Sequence, residues 1–339
     1  MKSWRTSSIR RINKKLIWAA LCVLTVLSAA LSLCLGAVPI SLADTLKALL
    51  GQGQGVQAQI VLYSRLPRTC GCLLAGMALA VSGTVIQAVL GNPMAAPNII
   101  GVNAGAGLMV ALLGVAAPTV VATVPLAAFL GALLGVMLVL FIAERTGASK
   151  LTLILAGMAV SAIFSAGIDA VVTFVPDALL GYSDFRIGSL ANLTMNKLAP
   201  AFWIILIALA LVMSLAGELD VLMLGRDVSQ SLGLRVKPMR LLLLTLAAAL
   251  AGAAVSFCGL LGFVGLIVPH IIRRLLGEES RTLILGSALG GAAMLTACDL
   301  LGRVLFAPYE LPVGIVLSFV GGPFFIFLLL KQRGGRIHD

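Results

Sequence analysis

The sequence predicts an all-α, polytopic membrane protein with about ten transmembrane helices and an internal inverted repeat. Three observations lead to this fold class: the composition, the length of the apolar segments, and a match of the chain with itself. The 339 residues are 60% hydrophobic and 11% charged, with a mean hydropathy of +1.11. Such a composition is typical of a chain that lipid rather than water surrounds. We therefore treat residues 1–339 as one transmembrane domain.

Several apolar segments are long enough to cross a bilayer as a helix, which takes about 18 to 20 residues. They are residues 16–36, 66–90, 119–143, 151–175, 198–217, 239–260, 283–305 and 313–331. Two further segments, 94–115 and 262–272, contain Gly or Pro or are too short to cross alone. Counting both as membrane-embedded gives the total of ten. The first segment is longer than the apolar core of a signal peptide, about 7 to 15 residues, so we expect a retained anchor.

The net charge of +11 follows membrane topology, so it does not indicate a nucleic-acid surface. With a cytoplasmic N-terminus and ten crossings, only six of the 24 Lys and Arg side chains fall outside the cytoplasmic segments. They are Lys47, Arg65, Arg68, Arg186, Lys197 and Arg303. The asymmetry predicts that both termini lie in the cytoplasm. It does not explain the three arginines at positions 65, 68 and 303, which fall on the outer side.

Several kinds of chemistry have no motif in this sequence. The six cysteines lie within or beside apolar segments, and the pair Cys70 and Cys72 lacks the second pair or histidine cluster that a metal site needs. The sequence contains no pair of nucleophile and base that would indicate an enzyme. We also expect no cofactor. No GxxxxGK[ST] motif is present either, so a pump built on this chain would need another chain to hydrolyse ATP.

A match of the chain with itself indicates two related halves, roughly residues 65–175 and 240–331. Shifting the sequence by 176 residues aligns 65–101 with 241–277, with ten identities in 37 positions. Four of the identical pairs are glycines or prolines: Gly76/Gly252, Gly83/Gly259, Pro93/Pro269 and Gly101/Gly277. Five crossings separate the two copies, and an odd number reverses direction, so the repeats would be inverted, as in many transporter cores.

Both copies of the repeat contain an interrupted segment, "GNPMAAPNIIG" at 91–101 and "GLIVPHIIRRLLG" at 265–277. Because proline removes a backbone donor, each predicts a helix end and a sharp re-entry beside a shared path. An ordinary helix end near the membrane surface is the alternative. His270 has apolar neighbours in the second segment, so we expect a packed, hydrogen-bonded histidine rather than a ligand or proton carrier.

Residues 217–240 form the longest polar stretch that we expect to lie inside the cell. Their apolar residues are spaced for two short helices, broken at Gly225 and closed by Gly233. Such a segment, 217–238, would suit the docking of a partner protein. A solvated loop between two spans is the alternative.

Four stretches of the sequence together resemble the FecCD-type permeases, which are the membrane subunits of type II ABC importers for iron-siderophores, haem and cobalamin. They begin with "RLPRTCG", "LGRDVSQSLG", "GFVGLIVPH" and "DLLGRV" and cover 65–107, 224–234, 262–277 and 299–329. The resemblance implies a permease of the bacterial inner membrane with an iron-siderophore as the favoured cargo. Its implied partners are a second permease subunit in a homodimer or heterodimer, two cytoplasmic ATP-binding subunits and an extracytoplasmic substrate-binding protein.

The resemblance also gives a reason for the three exceptional arginines. In similar permeases, the arginines of the RLPR motif and one near the ninth span meet acidic residues of the binding protein. Here they are Arg65, Arg68 and Arg303, which we expect to be exposed so that each can pair with a carboxylate and orient docking. Asp299 lies one helical turn before Arg303 and could hold its side chain in place. The alternative is that the arginines reach lipid headgroups.

The turn "LGRDVSQSLG" matches the coupling segment of the family, which sits in a cleft of the ATPase and converts its closure into helix movement. The resemblance carries this coupling role to four residues of the present chain. They are Gly225, Ser231, Leu232 and Gly233.

A gate is the third site that the resemblance implies. Asn92, Pro93 and Met94 match the place where related permeases narrow the path on the cytoplasmic side, and a flexible methionine suits a seal. The stretch "GASKL" at 147–151 departs from the cobalamin permeases, because Lys150 stands where they have small hydroxyl residues. This departure weakens the prediction of gate residues at the second constriction.

A secondary transporter driven by an ion gradient is the alternative function, because inverted repeats and broken helices also occur there. It needs a titratable group in the middle of the membrane, and Asp169 in the fifth span is the candidate. Substitution of Asp169 by Asn would abolish coupling in an ion-driven transporter, whereas an ATP-driven permease would tolerate it with a modest loss.

Overall fold

The computed structural model describes residues 14–36, 38–116, 123–146, 150–176 and 178–333, and no strand occurs among them. This confirms the predicted all-α class. The helices are α1 (Lys14–Cys34), α2 (Leu42–Leu49), α3 (Gly55–Gln59), α4 (Leu66–Leu90), α5 (Val102–Ala116), α6 (Val124–Arg145), α7 (Lys150–Phe174), α8 (Ala178–Ile187), α9 (Met195–Ser214), α10 (Ala216–Met223), α11 (Arg226–Ser231), α12 (Val236–Cys258), α13 (Val264–Leu276), α14 (Ser280–Val304) and α15 (Val313–Arg333).

The long helices match the predicted spans closely. Among the described residues, seven helices are long and apolar enough to cross a membrane. The α5 helix and residues Val313–Leu328 of α15 are shorter apolar segments. The α13 helix has 13 residues and is too short to cross alone, as the sequence predicts. The short helices α2, α3, α8, α10 and α11 connect these elements.

The α4 and α12 helices form the centre of the bundle. In their most apolar 18-residue stretches, 83% and 78% of the residues are buried, against 17% in α1. The α1 helix instead exposes valines and leucines along its length, Val23 and Val26 among them. An apolar outer surface of this kind is what a helix in contact with lipid presents.

Small residues let the central helices approach closely. A Cβ atom on Gly76 of α4 would overlap the carbonyl oxygen of Gly291 in α14. In the second half, a Cβ on Gly252 of α12 would lie 3.0 Å from Ala132 Cβ of α6. Gly76 and Gly252, one glycine pair of the repeat, therefore each face another long helix, and such contacts are typical of helix packing in membranes.

Hydroxyl groups add hydrogen bonds across the same helix contacts. Ser82 Oγ donates to the Ala247 carbonyl oxygen of α12 at 2.6 Å, and Thr84 Oγ1 donates to Ser287 Oγ of α14 at 3.0 Å. All three hydroxyl side chains are fully buried. The α4 helix is thus fastened to both neighbours by polar contacts that lipid cannot replace.

Candidate functional site

Five charged side chains lie at one end of the bundle, which we call the arginine end: Arg65, Arg68, Asp299, Arg303 and Glu310. Arg68 Nε and Nη2 donate to the Asp299 carboxylate at 2.9 to 3.1 Å. Arg68 Nη1 donates to Glu310 Oε2 at 2.6 Å. Asp299 is 1% exposed, whereas the Glu310 side chain is 41% exposed. Charge-assisted hydrogen bonds therefore join α4 to α14 and to the loop that precedes α15.

The Arg303 side chain shares the carboxylate of Asp299 with Arg68. Its Nε lies 3.1 Å from Asp299 Oδ2, one turn earlier on α14. Its Nη2 donates to Ser32 Oγ at 2.6 Å, and its Nη1 donates to the Ser32 carbonyl oxygen at 3.2 Å. Asp299 and Arg303 thus form an ion pair, and the same guanidinium also connects α14 to α1; the part of Asp299 in docking stays a prediction.

Arg65 completes the C-terminal end of α1. Its Nη1 donates to the carbonyl oxygens of Leu33 and Cys34 at 2.9 and 2.6 Å, and its Nη2 donates to the Val38 carbonyl oxygen. The last carbonyl groups of a helix have no partner within the helix, and a cation is favoured there by the helix dipole. Arg65 therefore adds donors to the carbonyl groups at the end of α1 and joins them to the start of α4.

The predicted exposure of the three arginines is wrong. Arg65, Arg68 and Arg303 are 5%, 6% and 3% exposed. Each guanidinium is enclosed because partners from distant parts of the chain converge on it, namely the end of α1 and the carboxylate of Asp299. Contact with lipid headgroups, the alternative interpretation, also requires exposed guanidinium groups. The docking role of this region stays a prediction.

At the other end of α4, a tight turn follows the helix. The α4 helix ends at Gly91, which has a left-handed φ of 57°, a conformation that glycine adopts without strain. Asn92 Oδ1 then accepts a hydrogen bond from Met94 N at 2.9 Å. Pro93 is exposed, whereas Asn92 and Met94 are half-buried. The predicted helix end is confirmed at this position, and the role of these residues as a gate stays a prediction.

The second proline of the repeat does not end a helix, which corrects the prediction. Pro269 lies inside α13, and the break precedes it, at Gly259 and Phe263, which both have positive φ. A proline in a helix leaves the carbonyl group four residues earlier without its donor. That carbonyl belongs to Gly265, and Gln87 Nε2 of α4 donates to it at 3.1 Å. The helix continues through Pro269 because another helix supplies the missing hydrogen bond.

Gln87 is a residue of this region that sequence reasoning missed. It is 2% exposed, and its Oε1 accepts a hydrogen bond from Arg273 Nη1 at 3.2 Å. One amide thus contacts α13 on both sides of Pro269, three residues before α4 ends. A glutamine within a spanning helix is a signal that sequence reasoning could have used, because buried polar side chains in membranes need partners.

The interpretation of His270 was correct in packing and wrong in hydrogen bonding. Its ring packs edge-on against Phe324 of α15, with ring centroids 6.2 Å apart. Its Nε2 is buried and has no hydrogen-bond partner within the described residues. The apolar neighbours that the sequence shows around this position offer no acceptor or donor at that atom.

The polar stretch after α9 folds into two short helices, which confirms the predicted pair. We call the α10 and α11 pair with its following turn, Ala216–Gly233, the elbow. Gly225 separates the helices with a φ of 100°, and Gly233 follows α11 with a φ of 84°. Leu232 is 61% exposed, and Ser231 and Gly233 are also exposed. The elbow therefore presents an apolar side chain beside a glycine at its tip.

The elbow is attached firmly to the bundle. Ser229 Oγ lies 2.7 and 2.6 Å from the carbonyl oxygens of Val221 and Gly225, and its single hydroxyl proton bonds to one or the other, which holds α11 against α10. Asp220 Oδ1 of α10 accepts from the backbone N–H of Ser280 at 2.9 Å, at the first residue of α14. A carboxylate at a helix N-terminus satisfies a free donor and favours the helix dipole. The elbow and the arginine end are therefore in contact with opposite ends of the same helix, α14.

Two further predicted positions lie on α7. Lys150 is the first residue of this helix, and residues 147–149 of the second predicted constriction lie outside the described residues. Asp169 lies on the exposed face of α7. Within the described part of the chain, its carboxylate makes no hydrogen bond and no ion pair.

The sequence of this chain is similar to a known protein family and to several known proteins. Residues 24–331 match the FecCD transport family. The chain is 38% identical to the hemin transport system permease protein HmuU of Yersinia pestis, over 82% of this chain and 85% of that protein. It is 37% identical to the Fe(3+)-citrate import system permease protein YfmD of Bacillus subtilis, over 96% and 98% of the two chains.

A solved structure of similar shape is a metal-chelate type ABC transporter in an inward-facing conformation. It has a TM-score of 0.82 and 29% sequence identity, over 94% of this chain and all of that chain. The apolar helices and these similarities define an integral membrane protein, a permease of the ABC transporter class. The chain belongs to the FecCD transport family.

Proposed function

We propose that this chain is the membrane-spanning permease subunit of an ABC importer that brings an iron-siderophore or a related ferric chelate into the cytoplasm. Partner subunits hydrolyse the ATP. The relatives support the cargo class, because their names specify hemin and ferric citrate. The observation that carries the proposal is the elbow, an exposed tip that is hydrogen-bonded to a spanning helix of the same chain.

The elbow is the proposed contact with two cytoplasmic ATP-binding subunits. Leu232 and the adjacent Gly233 can enter a cleft on such a partner, because an apolar side chain on a tight turn buries well in a pocket. Asp220 then transmits the movement of α10 to the start of α14. An open cleft of about 530 Å³ lies beside the elbow, with Glu218 and Arg281 among the residues that line it. With the elbow inside the cell, both termini are cytoplasmic.

The arginine end is the proposed landing surface for an extracytoplasmic substrate-binding protein. Because Arg65, Arg68 and Arg303 are buried in the free chain, we assign them to the shape and positive charge of this surface. Three guanidinium groups and two carboxylates leave one net positive charge there, which favours an acidic partner and orients its approach. Glu310 is the exposed member of the cluster, so an arriving carboxylate has to displace it to reach Arg68.

The path for cargo is the proposed role of the opposite end of α4. The turn with Asn92, Pro93 and Met94 narrows the path on the cytoplasmic side, and Gln87 holds α13 beside it. A second permease subunit, identical or similar, supplies the other wall of the path. An ATP-driven mechanism fits the family better than the ion-coupled alternative, because the solved relative of similar shape is an ABC transporter.

Import of radioactive ferric chelates into a deletion strain tests this function. We expect uptake to require the permease, both partner ATPases and an intact elbow. Leu232→Asp should abolish uptake while the protein remains in the membrane, because a charge replaces the apolar tip. The matched control is Leu50→Asp, an exposed leucine that lies outside the elbow, and it should retain uptake. Uptake that persists without the ATPase subunits would refute the proposal.

A further inference from the structure

The polar residues in the outer half of α7 form a ridge. Ser161, Ser165, Asp169 and Thr173 follow each other at intervals of four residues. Residues four apart lie one above the other on a helix, so these side chains form one continuous row about 18 Å long. Ser165, Asp169 and Thr173 are exposed, and Ser161 is half-buried.

The exposed surface beside the ridge has the opposite character. Ile163 is 67% exposed and Phe174 is 84% exposed, and the exposed residues between them, Ala166 and Ala170, are also apolar. The helix therefore has a polar edge and an apolar edge on its uncovered side. One edge suits water, whereas the other suits lipid or an apolar partner surface.

The carboxylate of Asp169 indicates whether the ridge faces lipid, protein or water. A carboxylate in a spanning helix is unfavourable where it faces lipid, so such residues face protein or water. Asp169 lies five residues before the end of α7, and no described residue forms an ion pair or hydrogen bond with its carboxylate. Water is the surrounding that satisfies it.

The neighbouring α8 helix adds polar groups near the same carboxylate. Tyr182 is buried against the α5 and α7 helices, where a Cβ on Gly107 would lie 3.4 Å from its hydroxyl group. Burial raises the pKa of Tyr182, the nearby Arg186 lowers it, and the charge of Asp169 raises it further. The charges of Asp169 and Arg186 therefore both act on the Tyr182 phenol.

We propose that this ridge lines the cargo path and that Asp169 makes the path select ferric chelates of zero or positive net charge over polyanionic ones. A fixed carboxylate beside an aqueous path raises the local concentration of cations and lowers that of anions. A cationic trihydroxamate chelate is therefore favoured over a triply anionic tris-catecholate chelate. The inference rests on the proposed function, because it requires that a chelate passes along this chain.

Thiol labelling tests the ridge without any cargo. A Ser165→Cys thiol should react with a water-soluble methanethiosulfonate about tenfold faster than an Ile163→Cys thiol, because the reactive thiolate forms in water and not in lipid. The unsubstituted chain gives the background from its native cysteines. Labelling of the Ser165→Cys thiol no faster than that of the Ile163→Cys thiol would show that the polar row has no preferred access to water and would overturn the inference.

The charge effect is measured with the same Ser165→Cys thiol. The rate ratio of a cationic to an anionic methanethiosulfonate should fall by about three- to tenfold when Asp169→Asn is added, as expected for a unit charge one helical turn away. Asp169→Glu should keep the ratio. Glu144→Gln, which removes an exposed carboxylate at the end of α6, is the matched control and should also keep it.

Import of the two chelates by the complete transporter tests selectivity. The ratio of trihydroxamate to tris-catecholate uptake should fall by about tenfold with Asp169→Asn, since the two cargoes differ by four charges. ATP-dependent import with an unchanged ratio would overturn the inference and leave the proposed function intact. Failure of the unsubstituted transporter to import any chelate with ATP would refute the proposed function, and the labelling rates would still decide the character of the ridge.

Discussion

Buried charges determine the architecture of the arginine end at the scale of single residues. One carboxylate, that of Asp299, serves the guanidinium groups of Arg68 and Arg303 at once. Burial of charge is unfavourable unless each group finds a partner, so the loss of one member affects the others. Glu310 belongs to the same cluster but is partly exposed, and water can replace it.

Asp299→Asn should therefore lower the free energy of unfolding by about 3 to 5 kcal/mol, because the buried Arg303 loses its carboxylate and Arg68 keeps only the partly exposed Glu310. Glu310→Gln is the matched control and should lower it by less than about 1 kcal/mol, because its partner contact is partly solvated. Denaturation of the purified protein in detergent measures both values. Equal losses for the two variants would contradict the assigned roles.

Gln87 offers a second test at this scale, because its amide replaces the donor that Pro269 lacks. Gln87→Leu should lower the free energy of unfolding by about 1 to 3 kcal/mol, the value for a buried acceptor left without a donor. Adding Pro269→Ala restores a backbone N–H for the Gly265 carbonyl and should recover part of the loss. If Pro269→Ala changed the free energy of unfolding equally with and without Gln87, the assigned role of Gln87 at Gly265 would be wrong.

At the scale of elements, α14 connects the two regions to which we assign function. Its first residue receives the carboxylate of Asp220 from the elbow, and its last turns carry Asp299 and Arg303. A helix is stiff along its axis, so a displacement at one end can reach the other. Coupling between the elbow and the arginine end therefore depends on the contact at Ser280.

Asp220→Ala should lower transport and weaken the helix start by about 1 kcal/mol, since α14 loses an N-terminal acceptor. Asp220→Asn keeps an oxygen at the same place and should restore most of the transport. ATP hydrolysis and chelate import are measured together in proteoliposomes. If Ala and Asn at this position gave the same import per ATP, Asp220 would have no coupling role.

Close helix contacts form a second property at this scale. A Cβ on Gly83 of α4 would overlap the Gly265 carbonyl oxygen of α13. Gly83→Ala should lower the free energy of unfolding by about 1 to 3 kcal/mol, because both backbones have to shift. Gly322→Ala in α15 has open space around it and should change stability by less than about 1 kcal/mol. Thermal unfolding midpoints in detergent distinguish the two, and equal midpoints would contradict the packing.

For the whole molecule, hydropathy predicts most of the architecture. The predicted span 66–90 coincides with α4, and the predicted span 283–305 is within three residues of α14. The elbow was also predictable, because glycines and polar residues separate two short apolar patterns. These features depend on neighbouring residues in the chain, so the sequence alone shows them.

The burial of the arginines was not predictable in the same way. Arg68 meets Asp299 across 231 positions, and Arg65 meets carbonyl groups some 30 residues earlier. The continuation of α13 through Pro269 depends on Gln87, which is likewise distant in sequence. Contacts of this kind arise from tertiary packing, which a hydropathy pattern does not contain.

The central claim is that ATP hydrolysed by partner subunits drives a ferric chelate through this chain by way of the elbow. The most direct measurement is uptake of a radioactive ferric chelate by proteoliposomes that contain the permease, its ATPases and its binding protein. We predict uptake with ATP, none with an ion gradient alone, and none with Leu232→Asp. Uptake driven by an ion gradient without ATP, and unaffected by Leu232→Asp, would contradict the account.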